Sequence, residues 1–225
     1  MIKKLEILGI QLDNYTVREA MLQIEGFLNS TIMNIVETIS METLVKSETD
    51  EKLRTCIENL DLAIISDKEI LKAAGENSPQ RMQETVNNEF LKEFMKRASR
   101  NNRTVYLLGE SREQVEILQK FLNENYGRIQ VVGVYALADC TGDYDTVINE
   151  INIAEPDVII SIIPTPRQEY FLENKKEKLN AKIWYGLGDN YPSKKGVSEV
   201  AGFAKKLIHK SMMHSMLLRY NKKDE

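Results

Sequence analysis

The stretch from Asp157 to Asp189 constrains the fold more than any other part of the chain, because it reads as strand, loop, helix and strand. The run Val158 to Ile163 is short and rich in β-branched residues, which predicts a strand buried on both faces. Proline cannot donate a hydrogen bond to a sheet, so this strand should stop at Pro164-Thr165-Pro166. After a helix-like segment, a second short strand, Ala181 to Tyr185, ends in Gly186-Leu187-Gly188.

The same alternation of strands and helices, with short connections, extends from Arg103 to Tyr185. This pattern predicts an α/β fold, a mostly parallel sheet covered by helices on both faces in a Rossmann-like arrangement, with a helical C-terminal tail. We place the α/β domain at residues 1–203 and the tail at residues 204–225. In open α/β sheets ligands bind at the carboxyl ends of the strands. Arg167, Gln168 and Glu169 are predicted to lie on such a loop.

Composition excludes several classes of function. A chain of 225 residues with 42% hydrophobic and 28% charged residues fits one α/β domain. Its net charge of −4 leaves no electrostatic footprint for nucleic acid. Cys56 and Cys140 are isolated, so they predict neither a metal pair nor a disulfide scaffold, and a reduced, cytoplasmic compartment is expected. We find no signal peptide and no apolar run approaching the roughly 20 residues of a membrane span.

Polar residues stand where predicted strands end. Thr38 and Ser40 close the strand that begins at Met33, and Asp67 follows the strand Leu60 to Ser66. A carboxylate in such a place can serve as a general base, but it can equally cap the helix that follows it. The hydroxyl of Thr38 can likewise be a buried group bonded to backbone.

Two further features lie between the strands. Arg81 falls in the segment Glu76 to Met82, which is predicted to be a loop, and its ordinary interpretation is a surface arginine. The turn Gly109-Glu110-Ser111 enters a helix near Arg112, and backbone amides at such a turn can receive phosphate. One glycine does not make a dinucleotide-binding fingerprint.

The order Pro166-Arg167-Gln168-Glu169, followed by a strand and a Gly-x-Gly, resembles the Pro-Lys/Arg-Gln-Glu signature of the WecG/TagA/CpsF glycosyltransferases. That family includes the teichoic-acid N-acetylmannosaminyltransferases. Thr38 and Glu42 also match its Thr-x-Asn-Pro-Glu motif, in which Ser40 and Met41 replace asparagine and proline. The resemblance covers nearly the whole chain.

The resemblance implies an inverting transfer that needs neither a metal nor another cofactor. The donor would be a UDP-sugar, most simply UDP-N-acetylmannosamine, and the acceptor a lipid-diphosphate-linked sugar at the inner face of the membrane. Asp67 would be the catalytic base, and Arg81 would contact the diphosphate. The substrate-binding residues implied in this way are Thr38, Ser40, Arg81, Gly109, Arg167, Gln168, Glu169 and Gly188.

Substitutions at motif positions keep a second interpretation open. The family residues are replaced at Ser40, Lys68, Glu84, Pro164, Val200 and Gly202. A degenerate relative that binds a nucleotide sugar, or acts as an interaction module without transfer, would show such changes. A third alternative is an unrelated α/β enzyme for another small ligand that shares only the topology.

The tail from Ala204 to Tyr220 carries apolar residues along one helical arc, with lysines and an arginine around it. A basic amphipathic helix is typical of peripheral membrane contact, and a terminal helix packed on its own domain is the alternative. The sequence does not determine the oligomeric state, and a homo-oligomer is one of the alternatives.

Overall fold

A computed structural model describes residues 4–188 together with residues 190 and 191. The predicted tail at 204–225, like Val200 and Gly202, lies outside the described residues. The strands are β1 Lys4–Ile7, β2 Ile10–Asp13, β3 Asn34–Ile39, β4 Leu62–Ile65, β5 Thr104–Gly109, β6 Gln130–Ala136, β7 Val158–Ile162 and β8 Ile183–Gly186. The helices are α1 Val17–Leu28, α2 Met41–Ser47, α3 Glu51–Glu58, α4 Lys68–Ala73, α5 Pro79–Val86, α6 Glu89–Arg100, α7 Arg112–Asn125, α8 Asp145–Ala154 and α9 Arg167–Lys175.

The described chain opens with a β-hairpin. Strands β1 and β2 pair antiparallel through Leu8-Gly9, whose φ values of 52° and 72° are those of the turns that match strand twist. The Asp13 carboxylate accepts a hydrogen bond of 2.9 Å from the amide of Ala63 in β4. The hairpin therefore borders the edge of the main sheet and satisfies part of that edge.

The main sheet has six strands in the order β4-β3-β8-β7-β5-β6, and every neighbouring pair is parallel. All five residues of β7 are buried, as the apolar run predicts. Helices cover both faces, so the predicted α/β class is confirmed. Strand β8, the last described, lies in the middle of the sheet between β3 and β7.

The two faces of the sheet bury different residues because side chains alternate along each strand. On what we call the α6 face, Val36 and Tyr185 pack against helices α1, α6 and α7. The Tyr185 ring lies 4.9 Å from that of Phe94. On the opposite α9 face, Trp184 stacks at 5.7 Å on Phe171 of α9. Tyr185 and its neighbour Trp184 therefore face different helix layers.

Two predicted loops are wrong in detail. Helix α5 begins at Pro79 inside the segment predicted to be a loop, and the Ser78 hydroxyl accepts the amide of Arg81 at 3.4 Å. Serine at the N-cap followed by proline at the first position is a helix-start signal that outweighs the polar composition. Residues 167–169 form the first turn of α9, where the amides of Arg167 and Gln168 bond to the Pro164 carbonyl.

Candidate active site

The carboxyl ends of β3 and β4 meet at the start of helix α2. Ser40 is the N-cap of α2, and its hydroxyl accepts the Thr43 amide at 3.2 Å. The Asp67 carboxylate accepts a hydrogen bond of 2.7 Å from the amide of Met41, the first residue of that helix. Asp67 stands at the N-cap of α4, yet within the described chain its side chain makes no capping bond to α4. Asp67 is partly exposed, and its carboxylate is oriented by the start of α2 instead.

The segment after β7 packs tightly on the end of β8. The Thr165 hydroxyl donates to Glu169 Oε1 at 2.8 Å, and both Gln168 and Glu169 have only 2% of their surface exposed. The carboxamide of Gln168 lies over Gly186, where a Cβ would stand 2.4 Å from Nε2. Glycine at 186 is therefore needed for the observed position of Gln168. Gly188, at a φ of 52°, faces Thr165.

Helix α2 joins these two groups. Lys46, in its last turn, donates from Nζ to the Thr165 carbonyl at 2.9 Å and pairs with Glu42 at 3.2 Å. The amide that binds Asp67 and the ammonium that binds Thr165 thus belong to one short helix. The sequence shows the Glu42–Lys46 spacing of a helical ion pair, but it carries no signal for the contact with Thr165.

Thr38 lies on the α6 face, one residue beyond the buried Glu37 of the α9 face. Its hydroxyl is 3.5 Å from the phenol oxygen of Tyr185, a long hydrogen bond to a side chain rather than the predicted alternative of a bond to backbone. Burial raises the pKa of Tyr185, so its hydroxyl stays protonated. Sequence reasoning named neither Tyr185 nor Glu37, because both lie within strands that read as ordinary core.

Arg81 lines a separate cleft beside β4. Its Nε donates to Asn14 at 3.0 Å, and its Nη1 contacts Glu84 at 3.1 Å. Glu84 also accepts the amide of Val17, the first residue of α1. Only 9% of the surface of Arg81 is exposed. Arg81 is therefore a buried, paired arginine and not the surface arginine of the ordinary interpretation. The cleft is walled by Asp13, Tyr15, Ile64, Ile65, Thr85, Asn88 and Phe90, among others.

Arg167 lies against the turn that follows β5. Arg167 contacts the Glu110 carboxylate and the Tyr144 hydroxyl. Gly109 is required for packing, since a Cβ there would lie 2.6 Å from Val115. The amides of Ser111 and Gln114 are bonded within a capping box, which occupies two of the donors that a phosphate would need.

The structure joins some of the predicted residues and leaves others apart. Described contacts connect Ser40 and Asp67 through α2 to the segment of Gln168 and Glu169. Arg81 is bonded instead to Asn14, between β2 and α1, and to Glu84 of its own helix. Among the described residues, no three His, Cys, Asp or Glu side chains gather as metal ligands. None of the described helices is long and apolar enough to cross a membrane.

A parallel, helix-covered sheet with polar side chains at its carboxyl edge is typical of enzymes that bind nucleotides or their sugars. The chain belongs to the glycosyl transferase WecG/TagA/CpsF family, whose model matches residues 5–192. The resemblance predicted from the sequence is thus confirmed, and so is the class of enzyme, a glycosyltransferase that moves a hexosyl group.

Curated relatives support the same family. Three proteins of Staphylococcus aureus, from strains NCTC 8325 / PS 47, COL and MRSA252, are each 24% identical to this chain over 187 residues. The match covers 82% of this chain and 73% of each relative. All three are named N-acetylglucosaminyldiphosphoundecaprenol N-acetyl-beta-D-mannosaminyltransferase.

Proposed function

We propose that this chain transfers N-acetylmannosamine, with inversion, from UDP to a sugar linked to undecaprenyl diphosphate in the synthesis of a cell-surface polymer. Family membership gives the class of reaction, and the names of the relatives supply the acceptor and the sugar. One observation carries the proposal. The Asp67 carboxylate accepts the Met41 amide at the carboxyl edge of the sheet and does not cap α4.

In this mechanism Asp67 removes the proton from the acceptor hydroxyl as that oxygen attacks the anomeric carbon. The bond between the sugar and UDP breaks on the opposite side, which inverts the configuration. General-base assistance of this kind typically contributes about 10²- to 10⁴-fold in rate. The Met41 amide holds the Asp67 carboxylate at the carboxyl edge of the sheet, and we assign removal of the proton to this carboxylate.

Negative charge develops on the diphosphate as UDP departs. We assign its stabilisation to Arg81, because a guanidinium presents paired donors to phosphate oxygens. The Nε and Nη1 atoms are already bonded, so the remaining Nη2 face of Arg81 would make this contact. Gln168 and Glu169 would hold the nucleotide or sugar, with Thr38 and Ser40 on the donor sugar and Arg167, Gly109 and Gly188 bordering the substrate.

One observation favours a second candidate, a nucleotide-sugar-binding module without transfer. Glu84 stands where the family has glycine, and its carboxylate pairs with Arg81. A carboxylate there competes with the diphosphate for the guanidinium. Such competition would leave donor binding weak and stabilisation of the leaving group weaker still.

The experiment that separates the two candidates measures binding and transfer on the same preparation. Calorimetric titration with UDP and UDP-N-acetylmannosamine reports binding. Chromatography of a lipid-diphosphate N-acetylglucosamine acceptor reports transfer. Binding with transfer supports the enzyme, and binding without transfer to this acceptor supports the module. Absence of any nucleotide binding contradicts both.

A further inference from the structure

Glu37 is an acidic residue to which the proposed transfer gives no role. It lies on β3, and only 1% of its surface is exposed. Burying an ionised carboxylate is costly unless charges or donors compensate it. Its neighbours on the α9 face are the carboxamide of Gln168 and the carboxyl group of Glu169, a second acid.

The pairing of Glu37 with Gln168 is incomplete in a particular way. A side-chain hydrogen bond joins the two residues. Within residues 4–188 and 190–191, however, Glu37 Oε1 and Gln168 Oε1 are both buried without a hydrogen-bond partner. Both atoms are acceptors when Glu37 is ionised, so neither can satisfy the other.

One proton resolves this arrangement. A proton on Glu37 Oε1 turns that atom into the donor that Gln168 Oε1 lacks, while the other carboxyl oxygen still accepts from Gln168 Nε2. The carboxylic acid and the carboxamide then share two antiparallel hydrogen bonds, and each buried polar atom of the pair has a hydrogen-bond partner. Gly186, which pairs with Glu37 in register, leaves the space that this pair occupies.

We propose that Glu37 is a neutral carboxylic acid at neutral pH and that it acts as a positioning residue, fixing the Gln168 carboxamide through two hydrogen bonds. The positioning role rests on the proposed function, because it requires Gln168 to contact the nucleotide or the sugar. The protonation state does not depend on it.

Electrostatics agree with this geometry. Burial raises the pKa of Glu37 well above its ordinary value of 4.5, and the nearby Glu169 raises it further, while the hydrogen bond from Gln168 opposes the shift. From helix α3, Cys56 faces the same acids. Burial, then the charges of Glu173 and Glu169, raise the pKa of its thiol to about 11, so the thiol is neutral at neutral pH as well.

The remaining charges around the group are paired with each other. Lys52 of α3 bonds to Glu173 of α9 at 2.5 Å, near the surface of the protein. That ammonium lowers the pKa of Cys56, but it is only a minor influence there. The groups facing Glu37 from α3 and α9 therefore favour its protonated form.

A proton held more tightly in the folded state makes stability depend on pH. The contribution of Glu37 to the free energy of unfolding is fully present below about pH 4.5 and is lost as pH rises towards its folded pKa. Glu37→Gln removes this proton while keeping the shape, and an amide pair can form the same two hydrogen bonds. We expect the stability of wild type, measured relative to Glu37→Gln by urea unfolding, to fall as pH rises above about 4.5.

Infrared spectroscopy tests the proton directly. At neutral pH, wild-type protein with isotope-labelled glutamate should show the carbonyl stretch of a protonated carboxylic acid. Glu37→Gln should lose that band, and Glu169→Gln should keep it. A band that is absent from wild type, or that persists in Glu37→Gln, overturns the assignment of the proton to Glu37.

Binding of UDP and of the UDP-sugar tests the positioning role. Glu37→Gln should bind as wild type does, whereas Glu37→Leu, which leaves Gln168 unsupported, should bind about fivefold more weakly, the worth of roughly one net hydrogen bond. Equal binding by Glu37→Leu overturns the positioning role. If wild type binds no nucleotide, the proposed function and the positioning role fail together, while the infrared band and the pH dependence still decide the protonation.

Discussion

At the scale of single residues, the proposed site depends on the hydrogen-bond partner of each polar side chain. Asp67 accepts from Met41 in the adjacent strand–helix junction, although its position beside Lys68 suggested a helix cap. Arg81 is committed to Asn14 and Glu84, although its sequence context suggested a free surface residue. These hydrogen bonds fix the orientation of both side chains. Variants of the two residues can test whether that orientation matters.

The catalytic role that we propose for Asp67 predicts a clear result for Asp67→Asn. Asparagine keeps the size and can still accept the Met41 amide, but it cannot take a proton. Titration should show unchanged UDP binding, while transfer falls by about 10²- to 10⁴-fold. Transfer at the wild-type rate would mean that Asp67 only orders the start of α2.

Arg81→Ala should weaken UDP binding, because a phosphate contact acts in the bound ground state as well as during transfer. The loss should correspond to a charge-assisted hydrogen bond, roughly 1.5–3 kcal/mol. Glu84→Gln should act in the opposite direction and tighten binding, since it removes the competing carboxylate from Arg81. Arg97→Ala, at an arginine of α6 paired with Glu25 and Glu93, is the matched control and should leave binding unchanged. Unchanged or tighter UDP binding by Arg81→Ala would show that Arg81 does not contact the diphosphate.

At the scale of elements, the contact between β8 and α9 is the tightest described at the site. A methyl group on residue 186 would enter the Gln168 carboxamide, so Gly186→Ala should displace that side chain and weaken UDP-sugar binding. Gly26→Ala is the control, because nothing lies within 4 Å of the added carbon and it sits inside α1. That control should stabilise the fold by about 0.5–1 kcal/mol with binding unchanged. Full binding by Gly186→Ala would show that the carboxamide need not lie there.

The elements also show what the sequence can and cannot predict. Strand β7 lies where the apolar run Val158 to Ile163 predicts it, and it ends before Pro164, because these signals are local. The start of α5 was missed although Ser78-Pro79 marks it.

The long-range contacts of the proposed site could not be predicted from the sequence, for a different reason. Lys46 with Thr165, Thr38 with Tyr185 and Glu37 with Gln168 all join residues more than a hundred positions apart. They exist because β8 lies beside β3, and no periodicity in either strand specifies its neighbour.

At the scale of the whole molecule, the proposed acceptor requires approach to a membrane, and the sequence from residue 204 onward offers a basic, methionine-rich segment for it. Removal of the residues after Phe203 should reduce co-sedimentation with phosphatidylglycerol vesicles and leave the circular dichroism of the domain unchanged. Vesicles of neutral lipid are the control. Unchanged sedimentation, or loss of folding, would support a tail packed on its own domain.

The strand order has a consequence for folding during synthesis of the chain. β3 and β4 form one pair and β5, β6 and β7 another group, and β8 is the strand that joins them. A ribosome makes β8 last among these strands, so a nascent chain that ends before Ile183 holds two separate pieces of sheet with exposed apolar edges. Thr38 and Gln168 cannot reach Tyr185 and Gly186 until then. The contacts of Thr38 with Tyr185 and of Gln168 with Gly186 can therefore form only after the central strand has been synthesised.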